Sequence, residues 1–268
     1  HGPPGYEPDE HSWLLYPALP WVLIGGTNLL NHDVLAERII PLASEKFSMA
    51  KILGIDEAGR GPVIGSMFVG GFMVDESELE EIEDLGVKDS KKLSDSRREK
   101  LAEQLRDSGE TFLKEVEAPE IDDLRKVMSL NEIEINAFVT VIEDSDADRI
   151  VVDLPEPNGD RFIKKLKAQL PEKFEGREFI AEHGADDEYP IVSAASIIAK
   201  SARESHVDEL KKKYGYDFRS GYPHDEPTIE FLEKYLEEHG DLPPETRRSW
   251  STAQRILKEG SQSSIGEF

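Results

Sequence analysis

The spacing of apolar and polar residues changes period several times along the chain, and each change marks an element. Lys51 to Ile55 is a short run of β-formers, read as a buried strand, and a glycine-rich turn follows it. Val63 to Val74 is apolar and punctuated by glycine, which predicts a second strand bent or bulged at those glycines. The acidic run Asp75 to Asp84 reads as a solvated loop or edge. Ser94 to Leu105 has helical texture with a serine in the cap position. Leu130, Ile133, Ala137, Val141 and Ile142 fall roughly on one face, so Ser129 to Ile142 predicts an amphipathic helix. Arg149 to Leu154 predicts a strand stopped by Pro155 and Pro157, and Glu178 to Ala181 a further short one. The longest helical stripe runs from Ser193 to Tyr214, and Gly215 closes it. Helices also fit Pro227 to His239 and Thr246 to Leu257. An opening hairpin followed by alternating strands and helices makes the fold class α/β with a mixed sheet.

The stretch before Met49 has another texture. It starts at His1, holds two of the three tryptophans and carries only two basic residues. Residues 1–48 are therefore read as an appended segment or extension of unknown role, 49–258 as one domain ending in helices, and 259–268 as a flexible tail. The most apolar stretch, Trp13 to Gly26, is shorter than the roughly 20 residues of a membrane-spanning helix and contains two prolines. It lacks a basic n-region, so neither a membrane span nor a secretory signal is expected.

Composition narrows the chemistry. The 268 residues are 38% hydrophobic and 33% charged, which suits a soluble globular protein, with a monomer as the default. Cysteine is absent, which excludes disulfides and thiolate-bound metal centres and fits a reducing, cytoplasmic setting. The formal charge of -24, from 56 acidic and 32 basic residues, argues against a nucleic-acid partner unless the basic residues cluster. A salt-rich cytoplasm, with its short screening length, would soften that objection.

Four carboxylates stand at the ends of the expected elements. Asp56 and Glu57 close an apolar strand just before the turn Gly59-Arg60-Gly61. Neighbouring strand residues point to opposite faces, so these two converge only if the strand breaks there; an ordinary solvated turn suits them equally. Asp153 ends Ile150-Val151-Val152, where open α/β sheets place ligands, or else simply starts a turn before Pro155. Asp186 precedes the long helix and also reads as a loop acid. Together, four such groups suffice to hold two divalent ions for in-line phosphoryl displacement.

Five blocks then carry a resemblance: GIDEAGRGPVIG from Gly54, DSKKL at 89–93, VVD at 151–153, HGADDEYPIVSAASIIAK at 183–200 and SGYPHDEPT at 220–228. In this order they resemble ribonuclease HII, type 2 ribonuclease H, and its archaeal branch most. The resemblance spans roughly 49–258 and implies a ribonuclease H-like fold with a mixed central sheet. It implies hydrolysis of the RNA strand of RNA–DNA hybrids and cutting 5′ of ribonucleotides embedded in duplex DNA, leaving 5′-phosphate and 3′-hydroxyl ends. By similarity the metal and catalytic set falls on Asp56, Glu57, Asp153 and Asp186, with Mg²⁺ or Mn²⁺. Asp187 is an adjacent rival, and His183 reads as a loop histidine or a group near the metals. The backbone of Gly59, Arg60 and Gly61 would read the ribose 2′-hydroxyl, Tyr222 would stack on the sugar, and Lys91 and Lys200 would contact phosphate. Arg60, Lys88, Lys91, Lys92, Lys200 and Arg203 are expected to form a positive channel. Ser193 is taken as a helix cap, and His206 as lying on a polar helix face. Finally, Gln262, Ile265 and Phe268 match the short peptide that docks on sliding DNA clamps, a weak motif with one terminal aromatic where two are common.

Overall fold

A computed structural model describes residues 50–88, 93–156 and 158–265, with side chains as far as Gln262. In chain order its elements are β1 (Lys51–Ala58), β2 (Met67–Asp75), α1 (Leu79–Asp84), α2 (Asp95–Ser108), β3 (Glu110–Val116), α3 (Ala118–Leu124) and α4 (Leu130–Glu143). There follow β4 (Arg149–Asp153), α5 (Gly159–Lys167), β5 (Glu178–Glu182), α6 (Ala185–Glu188), α7 (Pro190–Tyr214), α8 (Glu226–His239) and α9 (Ser251–Ile265). The expected α/β class with a mixed sheet is what forms. Among the described residues no helix is long and apolar enough to cross a membrane.

The five strands lie in the order β3-β2-β1-β4-β5. β1 pairs antiparallel with β2, and β2 with β3, while β1–β4 and β4–β5 are parallel. Side chains alternate along β1. Leu53 and Ile55 join the core under α4 and α5 with Phe138 and Phe162, whereas Ile52 joins the opposite core under α7 with Phe72 and Val151. Phe138 is fully buried, worth about 2–3 kcal/mol by area alone. A third cluster joins the β1–β2 connection to α7, α8 and α9 through Val63, Ile64, Leu210, Phe231 and Ile256.

The helix α7 sits unusually close to the sheet, and two glycines make that approach possible. A Cβ on Gly54 would collide with the backbone of Ile191, and one on Gly70 would lie 2.6 Å from the Ala195 carbonyl oxygen. This corrects the expectation of a bulge: β1 and β2 pair without interruption from Lys51–Asp75 to Ala58–Phe68, and Gly70 serves close packing. The strand β2 starts only at Met67, because Val63 to Gly65 instead lie along the 245–247 segment. The Gly65 N–H donates to the Glu245 carbonyl at 2.8 Å and the Arg247 N–H to that of Val63 at 2.8 Å.

Other boundaries shift for identifiable reasons. The acidic run is not a loop: Glu76–Glu78 form a 3-10 turn and α1 follows, anchored by buried Ile82. Ser94 caps α2 as expected, and Ser129 caps α4 and closes a capping box with Glu132. Tyr189, not Ser193, caps α7, because Pro190 supplies the first helical residue; the Ser193 hydroxyl instead donates to the Asp186 carbonyl. The last helix begins at Ser251, not Thr246, and runs through the Gly-Ser stretch read as flexible to Ile265. Residues 1–48, Lys91, Lys92 and Phe268 lie outside the described residues, as do the side chain of Ile265 and most of the 89–93 block.

Candidate active site

Parallel pairing of β1 with β4 sets the first part of the site. Ile55 is level with Val152, so the next residues, Asp56 and Asp153, stand side by side at the carboxyl ends of the two central strands. The strand does not break at Asp56 as the sequence suggested; it continues in register through Ala58. Asp56 and Glu57 therefore leave β1 on opposite faces, Asp56 towards Ser196 and Lys200 of α7, Glu57 towards Glu134 of α4. They still act on each other's charge at the end of the sheet. Burial, then the Glu57 charge, pushes the Asp56 carboxyl up to about 8, with Asp153 adding to the effect. Burial, then the Glu134 charge, pushes Glu57 up to about 7.

The short helix α6 brings in the fourth carboxylate. Gly184 adopts a left-handed conformation (φ 69°) ahead of it, and the Ala185 N–H donates to Asp153 Oδ1 at 2.9 Å. Asp186 is consequently buried beside Asp153, with Lys200 Nζ 3.9 Å from its Oδ2, whereas Asp187 and His183 are exposed. Lys200 also donates to Ser196 Oγ at 2.6 Å. The set is all-oxygen and strongly acidic, the donor chemistry of a hard divalent cation. Among the described residues no three acidic or histidine side chains stand in metal-ligand geometry as they are. Burial, and after it the neighbouring carboxylate charges, lifts Asp56 and Glu57, and a dication would offset both.

Beside the carboxylates lies the Gly59-Arg60-Gly61 turn. Gly59 has φ 82°, and a Cβ there would lie 2.9 Å from both the Ser66 carbonyl oxygen and Arg203 Cδ. A Cβ on Gly61 would lie 3.0 Å from the Tyr222 ring, so the turn and that tyrosine are in contact range. Tyr222 is itself held: the Arg203 guanidinium lies 5.1 Å from its ring centroid, and its loop is tied to the β1–β2 connection by the Val63 N–H donating to Gly221 O at 2.8 Å. Carboxylates and turn thus form one continuous site at the carboxyl end of the sheet.

Comparison with known proteins gives the family. Residues 53–253 match the family model described as ribonuclease HII. The chain belongs to the ribonuclease HII family. A ribonuclease HII of Methanothrix thermoacetophila is 45% identical over 209 residues, covering 78% of this chain and 98% of that protein. The crystal structure of ribonuclease H2 from Pyrococcus horikoshii OT3 is similar with a TM-score of 0.74 and 43% identity, covering 79% of this chain and 99% of that one. The PCNA:RNase HII complex from Archaeoglobus fulgidus follows at TM-score 0.69 and 38% identity, over 76% of this chain and 96% of that one. The protein is accordingly a ribonuclease H, a divalent-metal-dependent endonuclease acting on the RNA of RNA–DNA hybrids.

Within this ribonuclease HII several residues that sequence reasoning passed over complete the site. Glu134 has no exposed surface; its carboxylate pairs with the Arg60 guanidinium, which also donates to Asn131 Oδ1 at 2.7 Å. Burial raises the Glu134 carboxyl and Arg60 opposes that rise. Arg247 is fully buried under the Gly59–Gly61 turn. Of the six residues expected to form a positive channel, Lys91 and Lys92 lie outside the described residues, and the other four have protein partners. Arg60 faces Glu134, Lys88 pairs with Glu83 at 2.5 Å, and Arg203 donates to the Ser220 carbonyl. His206 is likewise no polar-face residue: burial lowers its pKa, and neutral Nε2 accepts from the Ser66 N–H at 3.2 Å.

Proposed function

We propose that this ribonuclease HII cuts 5′ of a ribonucleotide embedded in duplex DNA as well as within hybrids, by two-metal in-line hydrolysis at Asp56, Glu57, Asp153 and Asp186, with Mg²⁺ or Mn²⁺. The observation that carries the reading is the β1–β4 register, which sets Asp56 beside Asp153 with Glu57 and Asp186 closing in from either side. The four carboxylates would hold two divalent ions, whose charge would activate the attacking water and stabilise the leaving 3′-oxygen. The protein's part is to hold and orient. Asp56 and Asp153 offer oxygens from rigid strand ends, and the Ala185 N–H fixes the rotamer of Asp153. Lys200, with Nζ 3.9 Å from Asp186 Oδ2, is assigned to a phosphate oxygen, as is Lys91.

Selection of the ribonucleotide falls to the adjoining turn. Peptide N–H groups of Gly59, Arg60 and Gly61 donate to the 2′-hydroxyl, the group that separates RNA from DNA. Tyr222 stacks on the neighbouring sugar, its ring held by Arg203. The test is cleavage of a duplex with one embedded ribonucleotide in Mg²⁺ or Mn²⁺ by the intact chain and by Asp56→Asn. Cutting on the 5′ side, lost in the variant, supports the proposal. No cutting by the intact chain in either metal would leave a hybrid-binding module in its place.

The tail adds a partner. Gln262, Ile265 and Phe268 are assigned to docking on a sliding clamp, a reading supported by the Archaeoglobus fulgidus complex. The helix α9 carries the chain as far as Ile265, so Gln262 begins the peptide from a helical turn. Deleting residues 262–268 should abolish clamp pull-down and leave hybrid cleavage intact; retained pull-down sinks the assignment.

A further inference from the structure

Arg247 is the largest fully buried side chain among the described residues, and a buried guanidinium is costly unless its donors are met. Its hydrogen-bond acceptors are backbone carbonyls. Nη2 donates to Gly59 O at 2.6 Å, Nη1 to Arg60 O at 2.8 Å and Nε to Gly65 O at 2.9 Å. Burial pulls its pKa down to about 9, with the nearby Arg203 charge adding to the fall. The next carbonyl, that of Gly61, accepts from Trp250 Nε1 at 3.3 Å, and the Trp250 ring lies 5.0 Å from the Arg247 guanidinium. Three successive carbonyls of the turn are therefore gathered by two side chains of one segment.

Peptide planarity makes this consequential. In a trans peptide the C=O and N–H point in opposite directions. Drawing the Gly59 and Arg60 carbonyls towards Arg247 turns the N–H groups of Arg60 and Gly61 to the other side. Gly61 is exposed, and its missing side chain leaves room beside Tyr222. Pro62 follows and has no N–H, so two of the three donors assigned to the 2′-hydroxyl, those of Arg60 and Gly61, belong to the peptides that Arg247 holds.

We propose that Arg247, assisted by Trp250, is the positioning residue that holds the Gly59–Gly61 turn with its N–H groups outward, and so sets discrimination between ribose and deoxyribose without touching substrate. The proposal rests on the ribose reading assigned to that turn. Lysine cannot replace the arginine, because one ammonium does not span three carbonyls as a planar fork does.

The test uses the full chain cutting a labelled duplex with one embedded ribonucleotide, against unlabelled competitors that are identical except for one 2′-hydroxyl. Arg247→Lys should reduce the preference for the hydroxyl-bearing competitor by roughly tenfold, the equivalent of about one hydrogen bond. Trp250→Phe, which keeps the ring and removes one donor, should reduce it by roughly threefold. The metal concentration for half-maximal activity should stay put in both. If Arg247→Lys does not fold, Trp250→Phe decides. An unchanged preference in the folded variants, or a shifted metal requirement with the preference intact, overturns the proposal. A wild-type chain that cuts but shows no preference between the competitors overturns the ribose reading itself, whatever Arg247 does.

Discussion

Arg60 points its side chain at Glu134, a carboxylate sealed between the isoleucines of α4, while its own carbonyl is held by Arg247 on another side of the turn. The turn between β1 and the rest of the site is thus pinned from two directions, by an ion pair to α4 and by a guanidinium beneath it. Removing one partner of a buried pair is worse than never having had it, because the other is left uncompensated. Glu134→Leu should lower stability by about 3 kcal/mol, read as a fall in the urea midpoint. A change below about 0.5 kcal/mol would mean that solvent already screens the partly exposed Arg60.

The elevated Asp56 and Glu57 carboxyls make metal-free stability depend on pH. Their folded-state values, about 8 and about 7, exceed ordinary carboxyl values, so the folded chain binds more protons than the unfolded one in between. Stability in chelator should therefore fall as pH rises from about 4 to about 8. Asp56→Asn should flatten that slope. A melting temperature that climbs through this window in chelator would contradict the burial of these groups.

Divalent ion should act in the opposite sense. By binding the folded state alone, Mg²⁺ at about 100 times its dissociation constant adds about 2.7 kcal/mol. The gain should grow with pH between about 5 and 8, because ligation needs the ionised carboxylates. Thermal melts with and without Mg²⁺ at pH 5.5 and 8 check this; an equal gain at both would place the ion elsewhere.

Close approach of α7 to the sheet gives a packing test. Gly70→Ala inserts a methyl 2.6 Å from the Ala195 carbonyl oxygen and 2.8 Å from the Ala199 nitrogen, neither of which is a flexible side-chain end. The loss should be about 3 kcal/mol or more, at the upper end of overpacking. Gly176→Ala makes a useful contrast, since no atom lies within 4 Å of the new methyl and only its φ of 82° opposes the change. Denaturation midpoints of the two variants should differ clearly; similar midpoints would show that the helix moves away at little cost.

Charge predicts a salt response. Net charge is -24, and near the site Arg60 and Lys88 are paired with carboxylates, which weakens the positive field offered to phosphate. Each phosphate contact steepens the log–log salt slope by about 0.9. The Michaelis constant for a hybrid should therefore depend on salt with a slope shallower than about 3, and activity should persist above about 0.2 M. A slope steeper than about 6 would reveal phosphate contacts beyond these cations.

Much of this arrangement was legible in the sequence because its parts are local. A strand ending in Asp56-Glu57, another ending in Asp153, and a glycine-rich turn are short strings with their own physical grammar. What escaped was either irregular or long-range. The strand β3 alternates Glu, Lys and apolar residues at a sheet edge and reads as polar chain. Glu134 looks like one more charge on an amphipathic helix, and only its place between Ile133 and Ile135 hints that it is buried. Arg247 meets the turn across more than 180 residues, in a segment read as helical, so no periodicity could announce it. The two-sided exit of Asp56 and Glu57 is not visible in the sequence, because strand alternation alone brings neighbouring residues together only at a break, whereas the end of an intact sheet suffices.

The long helix α7 meets successive parts of the site along its length: Ile191 against Gly54, Ser196 and Lys200 by the carboxylates, Arg203 at Gly59 and Tyr222, and His206 at Ser66. These stations are spaced by a rise of about 1.5 Å and a turn of about 100° per residue. Individual side chains along it are exchangeable in principle, but their phase is not. One residue inserted between Lys200 and Arg203 would swing everything beyond it by about 100°, carrying Arg203 off the tyrosine while the carboxylates stayed in place. The helix therefore behaves as a ruler, tolerant of new letters and intolerant of new length.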